Sequence, residues 1–405
     1  MYQLLKGLRV VEGASFIAGP TCGLYLAQYG AEVIRFDQIG GGPDFGRWPL
    51  SPRGPSFYWE GLNKGKKSVA LNLSSPEGRE LAVAIATAPG DNAGLFVTNY
   101  PAEGFLSYER LKARRADLIC ARVMGWADAT PGLDYTINAA VGVPYMTGPE
   151  GSAEPVNHVF PAWDFLTGAL AAFSLISAER ERRASGQGRE IRLPLSDIAA
   201  SSVAHMGQLA EVMFNGGDRP RSGNAIFGAF GRDFATRDGK RVMIAAITPR
   251  QWSGLLSVLG ETQRVAALEG ELGCSFATDE GSRFVHRDRL FPIVEQGMAR
   301  QDLAALAPEF DKVGVCWGPY QTLSEAVAGD AKLFTANPIF NPATHPSGET
   351  YPTPGAAATL SPDERLPAPG APQLGQHTEE VLAGVLGLPS GEIARLIDAG
   401  LAAQA

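Results

Sequence analysis

The sequence is poor in charge and in cysteine for its length. Only 19% of its 405 residues are Asp, Glu, Lys or Arg, and the formal net charge is -8, so the chain as a whole does not attract nucleic acid. The four cysteines, Cys22, Cys120, Cys274 and Cys316, are far apart, which predicts neither a disulfide framework nor a zinc site. We therefore expect a cytoplasmic protein whose partners are small molecules.

Sequence signals of several other protein classes are also missing. No run reaches the 18 or more apolar residues of a membrane span, and we expect no membrane partner and no signal peptide. The five histidines show no metal-binding spacing, and neither a G-x-S-x-G motif nor a P-loop occurs. These absences argue against metal catalysis, against serine hydrolases and against nucleoside triphosphatases.

Glycine and proline are abundant instead, with 48 and 29 residues beside 45% hydrophobic residues. Because they follow no repeat period, this composition predicts a loop-rich globular protein and excludes collagen-like and disordered chains.

The first two hundred residues alternate short β-branched runs with helix-length segments. Such alternation predicts parallel strands joined by crossover helices, and therefore an α/β protein with a Rossmann-like large domain. The expected strands are 8–12, 32–37, 68–73, 94–98 and 118–124, and the expected helices are 21–29, 76–88, 108–115 and 163–184. No G-x-G-x-x-G motif follows the first strand, which argues against a nicotinamide dinucleotide site.

Two changes of composition mark domain boundaries. A stretch rich in Gly, Asp and Arg begins at Asn215, and a stretch rich in Pro and Gly covers residues 337–375. We expect a large domain over 1–214, a smaller α/β domain over 215–336, and a return to the large domain over 337–405. The small domain includes a predicted strand at 240–247 and a predicted helix at 251–259, and the return begins as an extended linker without regular structure.

One carboxylate stands out from the rest of the sequence. Asp164 lies at the start of a predicted apolar helix, between Trp163 and Phe165. An Asp in this place is commonly an N-cap. Alternatively, the helix N-terminus keeps the carboxylate ionised while apolar neighbours exclude water, which would make it a nucleophile for acyl groups. The residues themselves leave both interpretations open.

Short segments along nearly the whole chain have a shared order and spacing. They are residues 5–12, 16–20, 30–35, 63–68, 98–101, 157–164, 222–224, 238–239 and 374–378. In these segments the chain resembles the class III CoA-transferase family, of the formyl-CoA transferase type. The resemblance implies an interlocked homodimer in which a Rossmann-like large domain is built from both termini, and it places the nucleophilic aspartate at Asp164. It also implies no metal and no cofactor beyond the CoA of the substrate.

The resemblance further implies a site for the CoA moiety of an acyl-CoA substrate. The positions that it assigns to the nucleotide and pantetheine are Ile17, Ala18, Leu71, Asn99 and Tyr100. Two basic positions of the family are Ser74 and Ser107 here, so we expect Lys66 and Arg110 to bind phosphate instead. A solvated strand edge is the alternative role for such lysines.

Two differences within the family bear on the reaction. Its racemases carry a His where this sequence has Leu133, which argues against proton exchange at the α-carbon. Where intermolecular transferases have a run of glycines, residues 225–231 include Ile226 and Phe227 before Gly228. We interpret this loop as a stiffer, apolar lid that retains the released acid, and we predict intramolecular transfer of CoA between the two carboxyl groups of one dicarboxylic acyl-CoA. The alternatives are an intermolecular dicarboxylate CoA-transferase and a non-catalytic CoA-binding protein.

Three further side chains are candidates for the substrate site. A free carboxylate on the substrate calls for a bidentate arginine, and we expect Arg47 or Arg232 in this role. His158, six residues before Asp164, either lines the site or serves as a structural histidine. We expect the oxyanions of acyl transfer to be stabilised by backbone N–H groups at the start of the Asp164 helix or by glycine amides of the lid.

Overall fold

The computed structural model describes all 405 residues and separates the chain into two units. Unit 1 consists of Met1–Val141, His158–Ala210 and Asn337–Ala405, and unit 2 consists of Gly142–Asn157 and Glu211–Ala336. The sequence-based division placed residues 142–157 and 211–214 in the large domain, and the structure differs at both places.

Arginine contacts account for both differences. The guanidinium of Arg221 is almost fully buried and donates to the backbone carbonyl oxygens of Tyr145 (2.8 Å) and Ser152 (2.7 Å). These bonds attach the first segment to unit 2. At the second place, the carboxylate of Glu211 pairs with Arg219 (2.7 Å). Such contacts join residues that local sequence patterns do not connect.

Unit 1 contains a seven-stranded sheet and a two-stranded hairpin, and unit 2 contains a three-stranded sheet. The strands are, in chain order, β1 (Arg9–Gly13), β2 (Glu32–Gln38), β3 (Lys67–Leu71), β4 (Leu95–Thr98), β5 (Ile119–Met124), β6 (Arg189–Pro194), β7 (Gly231–Ala235), β8 (Arg241–Ala245), β9 (Cys316–Pro319), β10 (Phe340–Thr344), β11 (Thr350–Pro354) and β12 (Ala402–Ala403). The large sheet has the order β12-β3-β2-β1-β4-β5-β6, and every pair in it except β12 with β3 is parallel. This arrangement confirms the predicted α/β class.

Helices follow most strands. They are α1 (Ala18–Gln28), α2 (Phe57–Leu62), α3 (Pro76–Ala86), α4 (Tyr108–Arg114), α5 (Asp134–Ala140), α6 (Val143–Met146), α7 (Ala162–Ser185), α8 (Leu195–His205), α9 (Gln208–Asn215), α10 (Pro249–Leu259), α11 (Thr262–Leu272), α12 (Glu280–Val285), α13 (Arg287–Met298), α14 (Leu303–Val313), α15 (Leu323–Gly329), α16 (Thr378–Gly384) and α17 (Ser390–Asp398). None of these helices combines the length and the apolarity that crossing a bilayer requires.

The sheet of unit 1 is covered on both faces, because successive side chains of a strand point to opposite sides. In β1, Val10 packs with Leu26 of α1 and Leu175 of α7, and Val11 packs in a second cluster with Val83 of α3. Each such buried aliphatic side chain stabilises the fold by roughly 1.5–3 kcal/mol. The central strands therefore consist of nearly continuous apolar runs, which is why the sequence pattern located them.

Helices α1 and α7 approach each other closely at Gly168. A Cβ added at this glycine would lie 2.6 Å from the Cβ of Thr21 and 2.8 Å from the carbonyl oxygen of Ala18. Only glycine permits this approach. The contact sets the first turns of α1 and α7 side by side at the carboxyl end of β1.

The segment 337–375 contains the β10–β11 hairpin, so the prediction of a linker without regular structure is wrong there. Pro342 lies opposite Pro352 in the hairpin register. Proline cannot donate to a ladder, and it is tolerated here because the hairpin has no third strand. The hydroxyl groups of Thr344 and Thr350 add a cross-strand hydrogen bond of 2.8 Å. Because prolines are typical of loops, the composition of these two strands led to the prediction of a linker.

Unit 2 has its own core. Its antiparallel sheet has the order β7-β8-β9, and the core beside it is built from Phe230, Phe234, Trp252, Phe291 and Phe310, all buried. The predicted strand at 240–247 is observed as β8, and the predicted helix at 251–259 is observed as α10.

Candidate active site

A cavity of about 650 Å³ opens in unit 1 at the carboxyl ends of β1, β4 and β5. In an open parallel sheet, ligands bind where the strand order reverses, and here that place lies between β1 and β4. The sequence-predicted residues that line it are Ile17, Ala18, Arg47, Asn99, Tyr100 and Asp164. Residues from four separate parts of the sequence therefore meet in one place.

A second cavity, of about 610 Å³, lies at the amino ends of the strands. Its arginines are already engaged: Arg115 pairs with Asp117 (2.8 Å), and Arg182 donates to the carbonyl oxygen of Ala93 (2.9 Å). It contains no residue that the sequence predicted for catalysis. We therefore place the candidate active site in the first cavity.

Asn99 joins the two loops that form the floor of this site. Its side-chain oxygen accepts from the backbone N–H of Ser15 (3.1 Å), and its side-chain nitrogen donates to the carbonyl oxygen of the same residue (2.9 Å). Phe16, which follows Ser15, has φ 69°, a left-handed conformation that is strained for an aromatic residue. The carboxylate of Asp44 holds it there by accepting from the Phe16 N–H at 2.9 and 3.1 Å.

Beneath this loop lies a buried group of charges. Arg35 donates to both oxygens of Asp37 (2.9 Å each) and to Asp44 (2.9 Å). Arg35 is fully buried, so its carboxylate partners are needed to offset the loss of hydration. The strained loop at Phe16 is thus held in place by a buried network of ion pairs.

Lys66 belongs to this interior group and not to the surface. Its ammonium lies 2.9 Å from the carboxylate of Glu12, from the carbonyl oxygen of Pro20 and from the side-chain oxygen of Asn63, and the residue is only 3% exposed. Burial, opposed by Glu12, lowers the pKa of Lys66 to about 8. This placement contradicts the expectation that Lys66 binds a CoA phosphate.

Asp164 lies in the first turn of α7 but does not cap it. The N-cap residue is Pro161, which offers no side-chain acceptor. The carboxylate of Asp134 takes this place and accepts from the backbone N–H groups of Trp163 (2.8 Å) and Asp164 (3.1 Å). The N-cap interpretation of Asp164 is therefore wrong, and its side chain is directed to the cavity instead.

The surroundings of Asp164 change its acidity. Burial, followed by the nearby charge of Asp134, raises the pKa of Asp164 to about 7, and Arg47 opposes this rise. A carboxylate so strongly perturbed in a cavity marks a functional site more often than a structural one.

The guanidinium of Arg47 lies between two aromatic rings of the site. Its central carbon is 5.2 Å from the centroid of Phe16 and 5.0 Å from the centroid of Tyr58. It makes no ion pair with a carboxylate of the chain, and it lines the cavity. The other candidate, Arg232, belongs to unit 2 and lies 3.4 Å from Glu295.

Three other predicted residues lie outside the lining of the cavity. Leu71 is fully buried in β3, Arg110 is exposed on α4, and His158 contacts Asp134, its Nε2 lying 2.5 Å from Oδ1. The expectation that Leu71 contacts CoA is not matched by this placement, because its side chain belongs to the core on the α3 face of the sheet.

The loop 225–231 belongs to unit 2. The Ile226 N–H donates to the carbonyl oxygen of Gly231 (2.8 Å), and the ring of Phe227 lies 5.0 Å from that of Phe284 and 4.1 Å from the guanidinium of Arg219. Gly228 has φ 81°, which explains a glycine at this position.

Sequence reasoning missed two residues of the site. Asp134 was not among the predicted site residues; the absence of an acceptor at Pro161 is the signal that another residue must cap α7. Tyr58 gave no signal. Its hydroxyl is buried without a hydrogen-bond partner, and burial, with Asp44 and Asp164 contributing, raises the pKa of the phenol.

Comparison with known proteins identifies the family of this chain. The profile of CoA-transferase family III matches residues 5–378, and the chain belongs to this family of enzymes. It is 46% identical over 404 residues to 2-methylfumaryl-CoA isomerase of Chloroflexus aurantiacus, covering 100% of this chain and 98% of the relative.

More distant relatives extend the comparison. The chain is 27% identical over 412 residues to succinyl-CoA:glutarate CoA-transferase of Mus musculus, covering 99% of this chain and 90% of the relative. The crystal structure of a CAIB/BAIF family protein from Brucella suis matches with a TM-score of 0.77 at 25% identity, over 95% of this chain and 100% of the other. The predicted family and fold class are confirmed.

Proposed function

We propose that the enzyme moves CoA from the C1 to the C4 carboxyl group of 2-methylfumaryl-CoA (mesaconyl-CoA). The observation that carries this proposal is the pairing, in one cavity, of the perturbed carboxylate of Asp164 with Arg47, an arginine that lacks a carboxylate partner. A nucleophilic carboxylate suits acyl transfer, and the arginine suits the second carboxylate of the substrate. The name of the 46%-identical relative supports this choice of substrate.

The reaction begins at the thioester. The ionised carboxylate of Asp164 attacks the C1 carbonyl carbon, the C–S bond breaks, and CoA leaves as a thiolate, so that a mixed anhydride joins Asp164 to the acid. The thiolate then attacks the Asp164 carbonyl carbon of this anhydride. The acid leaves as a free dicarboxylate, and an aspartyl-CoA thioester forms.

The second half repeats these steps at the other carboxyl group. The C4 carboxylate attacks the aspartyl thioester and releases the thiolate, which then attacks the C4 carbonyl carbon of the new anhydride. The product leaves with CoA at C4, and Asp164 returns to its carboxylate form. Each step exchanges a carboxylate and a thiolate on an acyl group, so the scheme balances without an oxidant, a reductant or a nucleotide.

The first backbone N–H groups of α7 are already engaged and do not serve as donors for the oxyanions. The N–H groups of Trp163 and Asp164 already donate to Asp134, and the Phe165 N–H donates to the carbonyl oxygen of Pro161. The glycine amides of the loop 225–231 stay a sequence-based prediction.

Retention of the free acid distinguishes the proposed reaction from an intermolecular transfer. We propose that Arg47 holds one carboxylate of the acid; that the bulky Ile226 and Phe227 restrict its escape is a prediction from the sequence. Incubation with the C1 thioester alone, followed by mass spectrometry, should give the C4 thioester. With labelled free mesaconate or succinate added, the product should stay unlabelled. Incorporation of the labelled acid into the acyl-CoA product would favour the intermolecular alternative.

The role of Asp164 has its own test. With substrate present, hydroxylamine or borohydride should modify Asp164, and peptide mass spectrometry locates the change. Asp164→Ala should be inactive, whereas full activity in this variant would end the proposal. Ile17, Ala18, Asn99 and Tyr100 are proposed to contact the CoA moiety, and Arg110 to bind its phosphates.

We also propose a homodimer. Large apolar side chains are exposed on two helices: Phe173 on α7 is 71% exposed, and Phe214 on α9 is 82% exposed. Exposed large apolar side chains of this kind are typical of interfaces. Light scattering after size exclusion should give twice the mass of the chain, and a monomer mass would contradict the proposal.

A further inference from the structure

The start of α7 is held by a residue from another helix. Its N-cap, Pro161, has no acceptor, and one carboxylate oxygen of Asp134 on α5 accepts from the Trp163 N–H (2.8 Å) and from the Asp164 N–H (3.1 Å). An anion is stabilised by the positive end of a helix. These two bonds fix the backbone of the residue that carries the reactive carboxylate.

Asp134 is in turn held by His158. The second oxygen of Asp134 lies 2.5 Å from Nε2 of His158, and the side chain of Asp134 is 0% exposed. Because a carboxylate only accepts, Nε2 carries the proton and donates it. The His158 ring packs edge-on against Tyr135, with ring centroids 5.8 Å apart, and the indole of Trp163 donates to Asn138 (3.1 Å). The start of α5 and the segment before α7 are thereby joined.

We infer that Asp134, held by His158, is a positioning residue of the acyl transfer: it directs Asp164 toward the cavity and places a second negative charge beside it. This inference rests on the nucleophilic role of Asp164 proposed above. His158 acts through Asp134, since its imidazole does not line the cavity.

The second charge has a chemical consequence. Two ionised carboxylates repel each other, and the repulsion ends when Asp164 becomes an anhydride or a thioester, because the acylated side chain is neutral. Asp134 therefore favours acylation of Asp164. Each pKa unit that this repulsion adds to Asp164 corresponds to about a tenfold change in the acylation equilibrium.

The other groups around Asp164 are few. Arg47, from the loop before α2, opposes Asp134, and Tyr58 on α2 has a neutral phenol that is sensitive to the charge of Asp164. Helices α1 and α8 also pack against α7, but no charged group of theirs contributes to the raised pKa of Asp164. A change at Asp134 should therefore be visible in the pH dependence of the reaction.

The test compares Asp134→Asn with Asp134→Ala. The amide oxygen of Asn still accepts from the two helix N–H groups, so Asp134→Asn removes the charge and keeps the cap. We expect the acid limb of its kcat profile to move to lower pH by about one unit and its plateau kcat to fall several-fold, with KM nearly unchanged. Asp134→Ala also loses the cap, and its kcat should fall by more than about tenfold. Asp288→Asn, at an exposed position in unit 2, is the matched control.

His158 is tested by a double-mutant cycle. His158→Ala should lower kcat in the wild-type background and change it less than about twofold in the Asp134→Ala background, because coupled residues are not additive. If Asp134→Ala fails to fold, the Asn variant provides the background.

Two results would overturn the inference: an acid limb of Asp134→Asn that coincides with that of the wild type, or equal losses from His158→Ala in both backgrounds. Failure of the proposed function is a separate result, because it would show as activity in Asp164→Ala.

Discussion

Replacing Asp164 by Asn should stabilise the protein at high pH while it abolishes activity. The pKa of Asp164 in the folded protein is raised from 3.8 to about 7, by burial first and by Asp134 second. Between these values the folded chain holds a proton that the unfolded chain has lost. Stability therefore declines as the pH rises through this window, and the wild type is weakest above the folded-state pKa.

The structure sets the size of this effect. A shift of about three pKa units corresponds to at most about 4 kcal/mol at 1.36 kcal/mol per unit, and relaxation of the site reduces it, so we expect about 2–4 kcal/mol. Asn has nearly the same volume as Asp and leaves no cavity. Asp164→Asn should thus exceed the wild type by this amount at pH 8, and the difference should vanish only below pH 3.8, where the wild-type carboxyl is protonated in both states.

Urea denaturation without CoA, at several pH values and one fixed protein concentration, measures this difference. Ligand binding and assembly both shift apparent stability, so both must be held constant. Asp288→Asn, at an exposed site, should show a difference that changes little with pH. A stability gain of Asp164→Asn that is equal at pH 5 and pH 8 would refute the argument, because it would not come from ionisation.

Four further experiments test the site. Arg47→Gln should lower kcat/KM for a dicarboxylic acyl-CoA by about 10- to 100-fold, since a hydrogen bond to a charged group is worth about 1.5–3 kcal/mol, and should barely affect a monocarboxylic acyl-CoA. The same change at Arg232, which already has a carboxylate partner, is the comparison; equal losses with both substrates would contradict the assignment to Arg47. Glycine at both Ile226 and Phe227 should raise the incorporation of labelled free mesaconate in the mass spectrometric assay, and unchanged incorporation counts against a retaining loop. Tyr58→Phe should raise stability to urea by about 1 kcal/mol, because it removes a buried hydroxyl without a partner; a loss would reveal that the hydroxyl is bonded. Prolonged dialysis against EDTA should leave kcat unchanged, and a loss restored by a metal would refute a metal-free scheme.

The sequence located the central strands because of where they lie. Strands such as β1 and β4 are buried on both faces, so their apolar runs are continuous, and all five predicted strands of the first domain are observed with ends shifted by at most two residues. The hairpin of β10 and β11 was missed for the opposite reason. Its prolines are compatible with a two-stranded ladder, but in sequence they are typical of a loop.

A site residue could be predicted where its own type and position in the sequence indicate its role. It could not be predicted where its role depends on residues that are distant in sequence. Asn99 and Asp164 lie at strand and helix ends that the pattern already marks. The sequence neighbours of Lys66 are typical of a surface lysine. Only the fold shows that Lys66 is buried and paired with Glu12. Asp134 likewise becomes a cap only because α5 and α7 start side by side.

The loop 225–231 carries the difference on which the prediction of intramolecular transfer depends. Gly228 has φ 81°, and a Cβ at Gly231 would lie 2.7 Å from the carbonyl oxygen of Ile244, so geometry requires both glycines. No such requirement applies at Ile226 and Phe227. Each non-glycine residue at a compatible position reduces the freedom of the open loop by about 0.4–1 kcal/mol, and the hydrogen bond that the Ile226 N–H donates to the Gly231 carbonyl oxygen favours one closed turn. We therefore expect these two side chains to favour retention of an acid over its exchange.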